Sequence, residues 1–267
     1  MSDKYLYRFR SMRDEHVGRI FTHNELYFAS PAKFNDPFDC KISVSIEGCT
    51  DEDMKRGHRR LNDFLPRYKG YEWGPASKDK TLQQKISVAE SVDEGYAKLG
   101  MLCLSKPNDD ILLWSHYADG HRGIALEFDE EGLRKWIDDL NGWLKPIDYT
   151  DNKPTIKEFN EAMWGLRWSL LKLFLLRKAA HWKYEGEYRA IMFPKERPKK
   201  YEDENQITYG YYKFPSEILT GIILGCQISD ADKCSVEAWQ REYQPQAKIY
   251  RAVKDENSFS LKIDGLS

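Results

Sequence analysis

The sequence predicts an α+β protein whose core is a mixed, mainly antiparallel sheet with helical insertions. First, residues 5–11 alternate apolar and basic side chains, which is typical of a half-buried strand. Second, residues 163–174 carry apolar side chains at every third or fourth position, which is typical of a helix packed on a core. Third, strands and helices interleave irregularly and no segment repeats, which favours α+β over a regular parallel arrangement.

The predicted elements follow one another along a single domain, residues 1–267. Strands are predicted at 5–11, 25–30, 101–105, 124–128, 143–149, 188–193, 207–214, 218–224, 248–253 and 259–263, the fifth at a sheet edge because it contains Pro146. Helices are predicted at about 12–22, 50–68, 80–99, 111–118, 130–140, 155–180 and 229–243, with a capping box at Thr155 and Glu158. We interpret residues 50–100 as a helical insertion that ends at Gly100, a helix C-cap.

Composition limits the environment and the partners. The 41 basic and 43 acidic side chains give a net charge of −2, so nothing indicates a global attraction to nucleic acid. No apolar run approaches the roughly 20 residues of a membrane helix, and the N-terminus lacks the layout of a signal peptide. The cysteines form no CxxC motif, which favours a reducing cytoplasm over disulfides or a thiolate zinc site; they are Cys40, Cys49, Cys103, Cys226 and Cys234.

The most informative segment is residues 182–194, where two carboxylates precede an apolar run that ends at a proline. In an extended backbone, Glu185 and Glu187 would lie on one face at the mouth of a buried strand. Two adjacent carboxylates resist simultaneous ionisation, so the pKa of one can be raised into a range useful for proton transfer. The alternative is that both lie on a solvated strand end and pair with Lys183 and Arg189.

Two further stretches carry polar side chains whose role has more than one interpretation. A proline-framed turn contains Asn35 and Asp36, which favours hydrogen bonds to the backbone of the turn itself. His116 and His121 lie near Glu127 in the chain, but their spacing fits no common helical or finger metal motif. We therefore expect His116 to pack in a polar aromatic cluster or to hydrogen-bond in a cleft.

Six segments together resemble the bacterial domain-of-unknown-function 2971 family. They are LYRFRS, ELYFASPAKFNDPFD, LCLSKPNDDILLWSHYADGHRGIALEF, KPIDY, HWKYEGEYRAIMF and EILTGIILG. The resemblance extends from Tyr5 to about Val253, and the joint occurrence of several motifs makes it specific. The family name itself implies no chemistry.

Three short motifs, in chain order, resemble more distantly the Arg-Ser-Glu signature of ADP-ribosyltransferases. Arg8 lies on the first strand, Ser105 ends a short strand, and the Glu-Gly-Glu motif at 185–187 leads into a buried strand. Only one residue of the middle motif matches, because Ser105 is followed by a Lys-Pro pair where those enzymes have Thr-Ser. The resemblance implies an ADP-ribosyltransferase-like split sheet. It also implies an enzyme that transfers ADP-ribose from NAD to an unknown protein or nucleic-acid acceptor, as a toxin or phage-defence effector does.

The resemblance further implies a chemical role for each matching residue. Cleavage of the bond between nicotinamide and ribose passes through an oxocarbenium-like state. Glu187 would stabilise that positive charge, and Glu185 would act as general base toward the acceptor. Ser105 would orient Glu187 or a ribose hydroxyl. On this basis the substitution Glu187→Gln is expected to abolish NAD turnover and to leave the melting temperature nearly unchanged.

Binding of NAD is assigned to a cation and to aromatic rings. Arg8 offers a permanently charged fork to the pyrophosphate, and Tyr117, Trp114 or Phe34 would form a wall for nicotinamide. The residues alone also allow a surface ion pair for Arg8, a strand-end cap for Ser105 and core packing for the aromatic residues. The predicted site has no metal and comprises catalytic Glu187, Glu185, Ser105 and His116, and NAD-binding Arg8, Tyr7, Trp114, Tyr117 and Asn35.

Two other functions stay open from the sequence. A metal-dependent hydrolase or nuclease would require several acids and histidines to converge, drawn from Asp36, Asp39, His116, His121 and Glu127 with Glu185 or Glu187. A non-catalytic sensor or interaction protein would use the tryptophan-rich segments as a binding groove. Thermal stabilisation by NAD favours the transferase, and stabilisation by Mn²⁺ or Mg²⁺ favours the hydrolase.

Overall fold

A computed structural model describes residues 4–40, 45, 50–53, 55–56, 97–155, 157–158, 161, 173–193 and 208–265. Within them the strands are β1 (Tyr5–Arg10), β2 (Glu25–Phe28), β3 (Gly100–Ser105), β4 (Ile124–Asp129), β5 (Trp143–Pro146), β6 (Asp148–Tyr149), β7 (Arg177–Lys178), β8 (Glu187–Met192), β9 (Gly210–Lys213), β10 (Leu219–Leu224), β11 (Lys248–Lys254) and β12 (Leu261–Gly265). The α-helices are α1 (Val17–Thr22), α2 (Ile111–Tyr117), α3 (Glu130–Asp139) and α4 (Asp230–Tyr243). Short 3-10 helices occupy Pro31–Lys33, Ala180–Glu185 and Ser216–Ile218.

Eight strands form one sheet in the order β12-β11-β10-β4-β1-β3-β8-β5. Within it β10 and β11 run parallel and the other registered pairs are antiparallel, which confirms the predicted α+β class with a mixed, mainly antiparallel sheet. β5, which contains Pro146, lies at one edge as expected. β1 pairs with β4 along its whole length but with β3 only through Tyr7 and Ser105. The pairing between β1 and β3 is therefore limited to a single registered residue pair, and we call this place the narrow junction of the sheet.

Apolar side chains cover both faces of this sheet. On one face, helices α1, α3 and α4 pack with β2 over a core that includes Leu6 and Leu104. On the other face, Trp114 of α2 packs with Tyr7 and Phe9 of β1. Residues alternate between faces along a strand, so Leu6 and Tyr7 project to opposite sides. We call these the large-core face, with Leu6 and Leu104, and the α2 face, with Tyr7 and Phe9.

The chain divides into two compact units. The first comprises Met1–Ala29, Leu99–Pro146 and Lys183–Ser267 and contains the eight-stranded sheet. The second comprises Ser30–Lys98 and Ile147–Trp182. Within the second unit the predicted capping box is present: the Thr155 N–H donates to Glu158 Oε2 (2.8 Å), and the Glu158 N–H donates to Thr155 Oγ1 (3.2 Å). The single domain stays a prediction, and most of the predicted helical insertion, 57–96, lies outside the described residues.

Two predicted helix ends are wrong. Gly100 is the first residue of β3 instead of a helix C-cap, and a Cβ there would lie 2.2 Å from the carbonyl oxygen of Thr208. Glycine occupies this position because another backbone passes close to it. The helix expected to continue to residue 180 ends earlier, since Arg177 and Lys178 form β7. The apolar residues just before β7 are buried whatever their secondary structure, so periodicity alone did not locate this helix end.

The described residues also bear on the expected environment of the chain. None of their helices is long and apolar enough to cross a membrane. The four cysteines among them are free thiols, and the fifth, Cys49, lies outside the described residues. A cytoplasmic location stays a prediction.

Candidate functional site

Three of the predicted site residues lie in one row across the α2 face. The row runs from Glu127 on β4 through Tyr7 on β1 and Ser105 on β3 to Glu187 on β8, each residue paired directly with the next. Directly paired residues project from the same face of a sheet and lie close together. The row crosses the narrow junction between β1 and β3. Register therefore brings Tyr7, Ser105 and Glu187 together although they are far apart in the chain.

Glu187 belongs to a buried ion pair. Arg189 donates from Nε to Glu187 Oε1 (2.7 Å) and from Nη2 to Oε2 (3.3 Å), and the two residues are 0% and 3% exposed. Cys103 pairs with Arg189 across the strands, and burial, followed by the charge of Glu187, raises the pKa of its thiol. The alternative interpretation, in which the two carboxylates pair with neighbouring cations, was thus correct about Arg189 as a partner. It was wrong about a solvated strand end, because Glu185 is also only 3% exposed.

Glu185 is held by a turn and a phenol. It is the last residue of the 3-10 helix Ala180–Glu185, and Gly186 follows in the left-handed region with φ +50°. The expected extended backbone through both carboxylates is therefore wrong, since a turn separates Glu185 from β8. The Tyr117 hydroxyl donates to Glu185 Oε1 (2.7 Å). A Cβ on residue 186 would lie 3.0 Å from Pro107 Cδ, so both the positive φ and the limited space favour glycine there.

The outer part of the site is aromatic. His116 is exposed, its Nδ1 lies 3.1 Å from the Tyr184 hydroxyl oxygen, and its ring meets that of Tyr117 edge-on. Tyr117 and Tyr184 are partly buried against the core of the α2 face. Trp114 is completely buried, and its indole N–H donates to the Asn108 carbonyl (2.7 Å). Trp114 is thus a core residue, and Tyr117 is the ring of the predicted wall that lies beside the carboxylates.

Glu127 occupies the far end of the row, where it receives two hydroxyl donors. The Tyr7 hydroxyl donates to Oε2 (3.1 Å) and the Thr220 hydroxyl to Oε1 (3.0 Å). Burial and the neighbouring Glu127 hold the pKa of Tyr7 well above its usual range, so the phenol stays protonated and keeps donating. A Cβ at position 221 would lie 2.9 Å from Glu127 Oε1, so Gly221 leaves the space that this carboxylate fills.

Arg8 leaves β1 on the large-core face, opposite to Tyr7 and hence to Glu187. Its Nη1 donates to the carbonyl oxygen of Cys103 (2.6 Å), which bridges β1 and β3 where their ladder has ended. No carboxylate of the described residues pairs with it. The structure thus does not bring Arg8 onto the face that carries Ser105 and Glu187, and it does not show the surface ion pair that was the alternative.

None of the other predicted residues is a member of this row. Asn35 belongs to the second unit, in the turn where Asp36 Oδ1 accepts from the Phe38 N–H (2.8 Å), a backbone hydrogen bond of the expected kind. Asp39 belongs to the same unit, whereas His121 of the first unit lies 3.2 Å from the Ser115 hydroxyl. In the part of the chain that the structure describes, no three His, Cys, Asp or Glu side chains are grouped closely enough to hold a metal ion.

Sequence reasoning missed two contributors to the site. Tyr184 was treated as part of the segment that leads to the carboxylates, and Cys103 as an ordinary residue of a buried strand. Tyr184 lies next to Glu185 in the chain, and an aromatic hydroxyl at that position is a signal for a hydrogen-bonding partner of the site. Cys103 gives no such signal, because its proximity to Glu187 and Arg189 depends on the β3–β8 register.

The comparisons with known proteins add one finding. Residues 113–190, which span α2 to the middle of β8, match the family model described as "Protein of unknown function (DUF2971)". The match includes Glu127, Glu185 and Glu187. It covers a shorter part of the chain than the resemblance found in the sequence, which extends from Tyr5 to about Val253. Neither the curated proteins nor the solved structures contain a match to the chain.

Proposed function

We propose that this chain is an NAD-dependent ADP-ribosyltransferase-like enzyme that transfers ADP-ribose to a macromolecular acceptor, a protein or a nucleic acid. The observation that carries the proposal is the Glu185-Gly186-Glu187 turn, which buries two carboxylates in different environments. Glu185 accepts from a phenol and Glu187 from a guanidinium. Carboxylates with distinct partners suit a reaction that needs one acid for electrostatic stabilisation and another for proton transfer.

Glu187 is assigned the electrostatic role. Its partner Arg189 is always charged, which favours the ionised carboxylate. Cleavage of the nicotinamide–ribose bond develops positive charge on the ribose, and a carboxylate fixed in a desolvated site stabilises such charge strongly. Ser105 lies directly opposite on β3 and has no hydrogen bond from its hydroxyl to any described residue. That hydroxyl is therefore assigned the orientation of a ribose hydroxyl beside Glu187.

Glu185 is assigned the acid–base role. Its hydrogen bond from Tyr117 fixes the carboxylate at the end of the 3-10 helix, next to the exposed His116 and Tyr184. An acceptor nucleophile that approaches from the His116 side would meet Glu185 before Glu187. A positioned general base contributes about 10²–10⁴-fold to such a reaction. The Tyr117 ring supplies the aromatic surface for nicotinamide, in place of the buried Trp114.

The narrow junction of the sheet bears on the same proposal. β1 and β3 share one registered pair, Tyr7 with Ser105. The Arg-Ser-Glu resemblance implied a split sheet, whereas β1 and β3 are neighbours in one eight-stranded sheet. Arg8 has no part in the chemistry proposed for the α2 face, because its side chain leaves β1 on the other side.

The test is label transfer from NAD. The purified chain is incubated with NAD labelled in the adenylate phosphate and with cell extract, and macromolecules are then separated from nucleotides. We expect label on protein or nucleic acid, and a loss of at least about 100-fold in the rate for Glu185→Gln, since a general base is removed. Glutamine keeps an acceptor for the Tyr117 hydroxyl, so the variant is expected to fold.

The matched control is Glu256→Gln, an exposed glutamate in the turn between β11 and β12. It removes the same charge outside the site and is expected to label at the wild-type rate. Absence of labelled macromolecules with the wild-type chain, or equal labelling by Glu185→Gln, contradicts the proposal.

A further inference from the structure

One edge of the eight-stranded sheet is formed by β12. Among the described residues β12 pairs with β11 alone, so its other side offers unpaired backbone groups. The strand at the opposite edge, β5, contains Pro146, which has no N–H to donate to a further strand. β12 contains no proline, and its residues Asp264 and Gly265 are exposed. Of the two edges of this sheet, β12 is therefore the one that can accept another strand along its length.

The register with β11 shows which backbone groups of β12 point outward. The Asp255 N–H donates to the Ser260 carbonyl (3.0 Å), so these two residues form a hydrogen-bonded pair of the antiparallel ladder. Such pairs alternate with pairs that are not hydrogen-bonded, so Lys262 and Asp264 direct their N–H and C=O groups toward β11. The residues between and beside them direct these groups away from β11, and they are Leu261, Ile263 and Gly265.

A second copy of β12 complements this edge in one register. Two antiparallel copies pair only where outward-pointing residues of one meet outward-pointing residues of the other. A pair centred on Ile263 puts Lys262 of each chain opposite Asp264 of the other. Opposite charges at directly opposed positions are stabilising, and positions without cross-strand hydrogen bonds bring the side chains closest. A pair centred on Lys262 or on Asp264 would instead put like charges opposite each other. The charges of β12 thus select one register.

The charged face of β12 also agrees with its neighbours in the chain. A lysine on an edge strand commonly prevents pairing with further strands. Lys262 is 62% exposed, and its Nζ pairs with Asp255, which follows β11 directly. Arg251 of β11 lies opposite Asp264. In the symmetric pair Asp264 would therefore lie between Arg251 of its own chain and Lys262 of the second chain, so that charges alternate across the junction and the lysine no longer opposes pairing.

The other face of β12 is apolar and matches itself. Leu261 is buried in the core of the α2 face, and Ile263 is partly buried against it. Ala252 of β11 lies opposite Ile263. A pair centred on Ile263 would place the two Ile263 side chains next to each other, so the apolar row of one chain would continue into that of the other. The exposed part of Ile263 would leave water, which is favourable.

We propose that β12 is a dimerisation edge, to which a second copy of this chain adds its own β12 antiparallel, with Ile263 at the two-fold axis. β12 has five residues, and so short a contact buries less than the roughly 1,600 Å² of a standard interface. The dimer is therefore reversible and forms as the concentration of the chain rises. The proposal does not rest on the transferase activity, because β12 contributes no residue to the row on the α2 face.

The direct test is sedimentation velocity of the full chain over a concentration series. The mass of the wild type is expected to rise from that of one chain to that of two. Asp264→Lys puts like charges opposite each other, so its association is expected to be at least about tenfold weaker. Asp138→Lys makes the same change at an exposed residue of α3 and should dimerise as the wild type does. A wild type that stays monomeric at every concentration, or normal dimerisation of Asp264→Lys, overturns the proposal.

A mixture of two variants tests the register. Lys262→Asp makes both charged positions of β12 acidic, and Asp264→Lys makes both basic. Each variant alone is expected to associate more weakly than the wild type. An equimolar mixture should form a heterodimer, because each basic side chain then lies opposite an acidic one. Recovery of the dimer also shows that both variants fold. A mixture that associates no better than the separate variants contradicts the pairing centred on Ile263.

Discussion

At the scale of single residues, the charged side chains of β1, β4 and β8 have different kinds of partner. Glu187 is paired with a guanidinium, whereas the donors that Glu127 receives from the described residues are two hydroxyl groups. Arg8 has a carbonyl oxygen and no carboxylate among the described residues. Removing one partner of a buried pair leaves the other charged and desolvated, which costs more than the pair itself contributes. Substitution of one partner is therefore expected to change the stability of the chain measurably.

The Glu187–Arg189 pair changes what is expected of Glu187→Gln. The sequence suggested that this variant would keep its melting temperature, but Arg189 is completely buried and would lose its charged partner. We expect the free energy of unfolding to fall by about 3 kcal/mol in a urea titration, as for other broken buried pairs. The double variant Glu187→Gln/Arg189→Met removes both charges and is expected to recover part of that loss without recovering NAD turnover. An unchanged unfolding free energy for the single variant would show that the pair is not buried as described.

The Tyr7–Glu127 hydrogen bond predicts a dependence on alkaline pH. The folded-state pKa of Tyr7 is raised above its unfolded value, so the folded chain retains the proton over a range in which the unfolded chain loses it. Stability from this group is therefore fully present below about pH 10 and is lost as the pH rises further. The variant Tyr7→Phe should be less stable than the wild type near pH 8 by about 1–3 kcal/mol, since Glu127 loses a donor. In urea titrations from pH 8 to 11 the difference should shrink, and a constant difference would count against the assignment.

At the scale of elements, the turn before β8 determines where the two carboxylates lie. The 3-10 helix Ala180–Glu185 ends at Glu185, and the left-handed Gly186 redirects the chain into the strand that carries Glu187. The Lys106 N–H donates to the Gly186 carbonyl (3.1 Å), which joins this turn to the segment after Ser105. The segments that carry Ser105, Glu185 and Glu187 are thus connected through the backbone of one glycine.

Gly186→Ala tests this turn. The left-handed conformation costs a residue with a Cβ about 1–2 kcal/mol, and the new methyl group would also press on Pro107. We expect a loss of at least that size in the free energy of unfolding, together with reduced NAD turnover. Gly265→Ala is the control, because no atom lies within 4 Å of its added Cβ, and its unfolding free energy should stay within about 0.5 kcal/mol of the wild type. Equal effects of the two substitutions would show that the turn does not require glycine.

Strands were easier to predict from this sequence than helix ends. β1, β3 and β4 were expected almost at their observed bounds, because alternation or a short apolar run bounded by turn residues indicates a strand. The helix before β7 was predicted to extend further than it does. The apolar residues just before β7 are buried too, so the apolar pattern does not mark the helix end. Gly100 was assigned to a helix end by residue type, whereas the nearby Thr208 backbone explains it.

At the scale of the whole molecule, the order of strands in the sheet decides which distant residues meet. The sequence identified Ser105 and Glu187 as candidates, and adjacent strands place them side by side. The sequence also identified Arg8, but a one-residue difference in position sends it to the opposite face from Tyr7. Neither strand order nor register is encoded in a local pattern, so the row from Glu127 to Glu187 was not predictable. Trp114 shows the same limit, since only packing distinguishes a buried ring from a ligand platform.

The most direct test of the account is nicotinamide release from NAD, which requires no knowledge of the acceptor. Release is measured by chromatography for the wild-type chain, Ser105→Ala and the exposed-charge control Glu256→Gln, after equal melting temperatures have been established. Ser105→Ala removes the hydroxyl beside Glu187 without disturbing an ion pair. We expect release by the wild type and Glu256→Gln, and release at least about tenfold slower by Ser105→Ala, equivalent to about 1.4 kcal/mol of transition-state stabilisation. Absence of release by the wild type, or an unchanged rate for Ser105→Ala, would contradict the claim that the row on the α2 face is the reacting site.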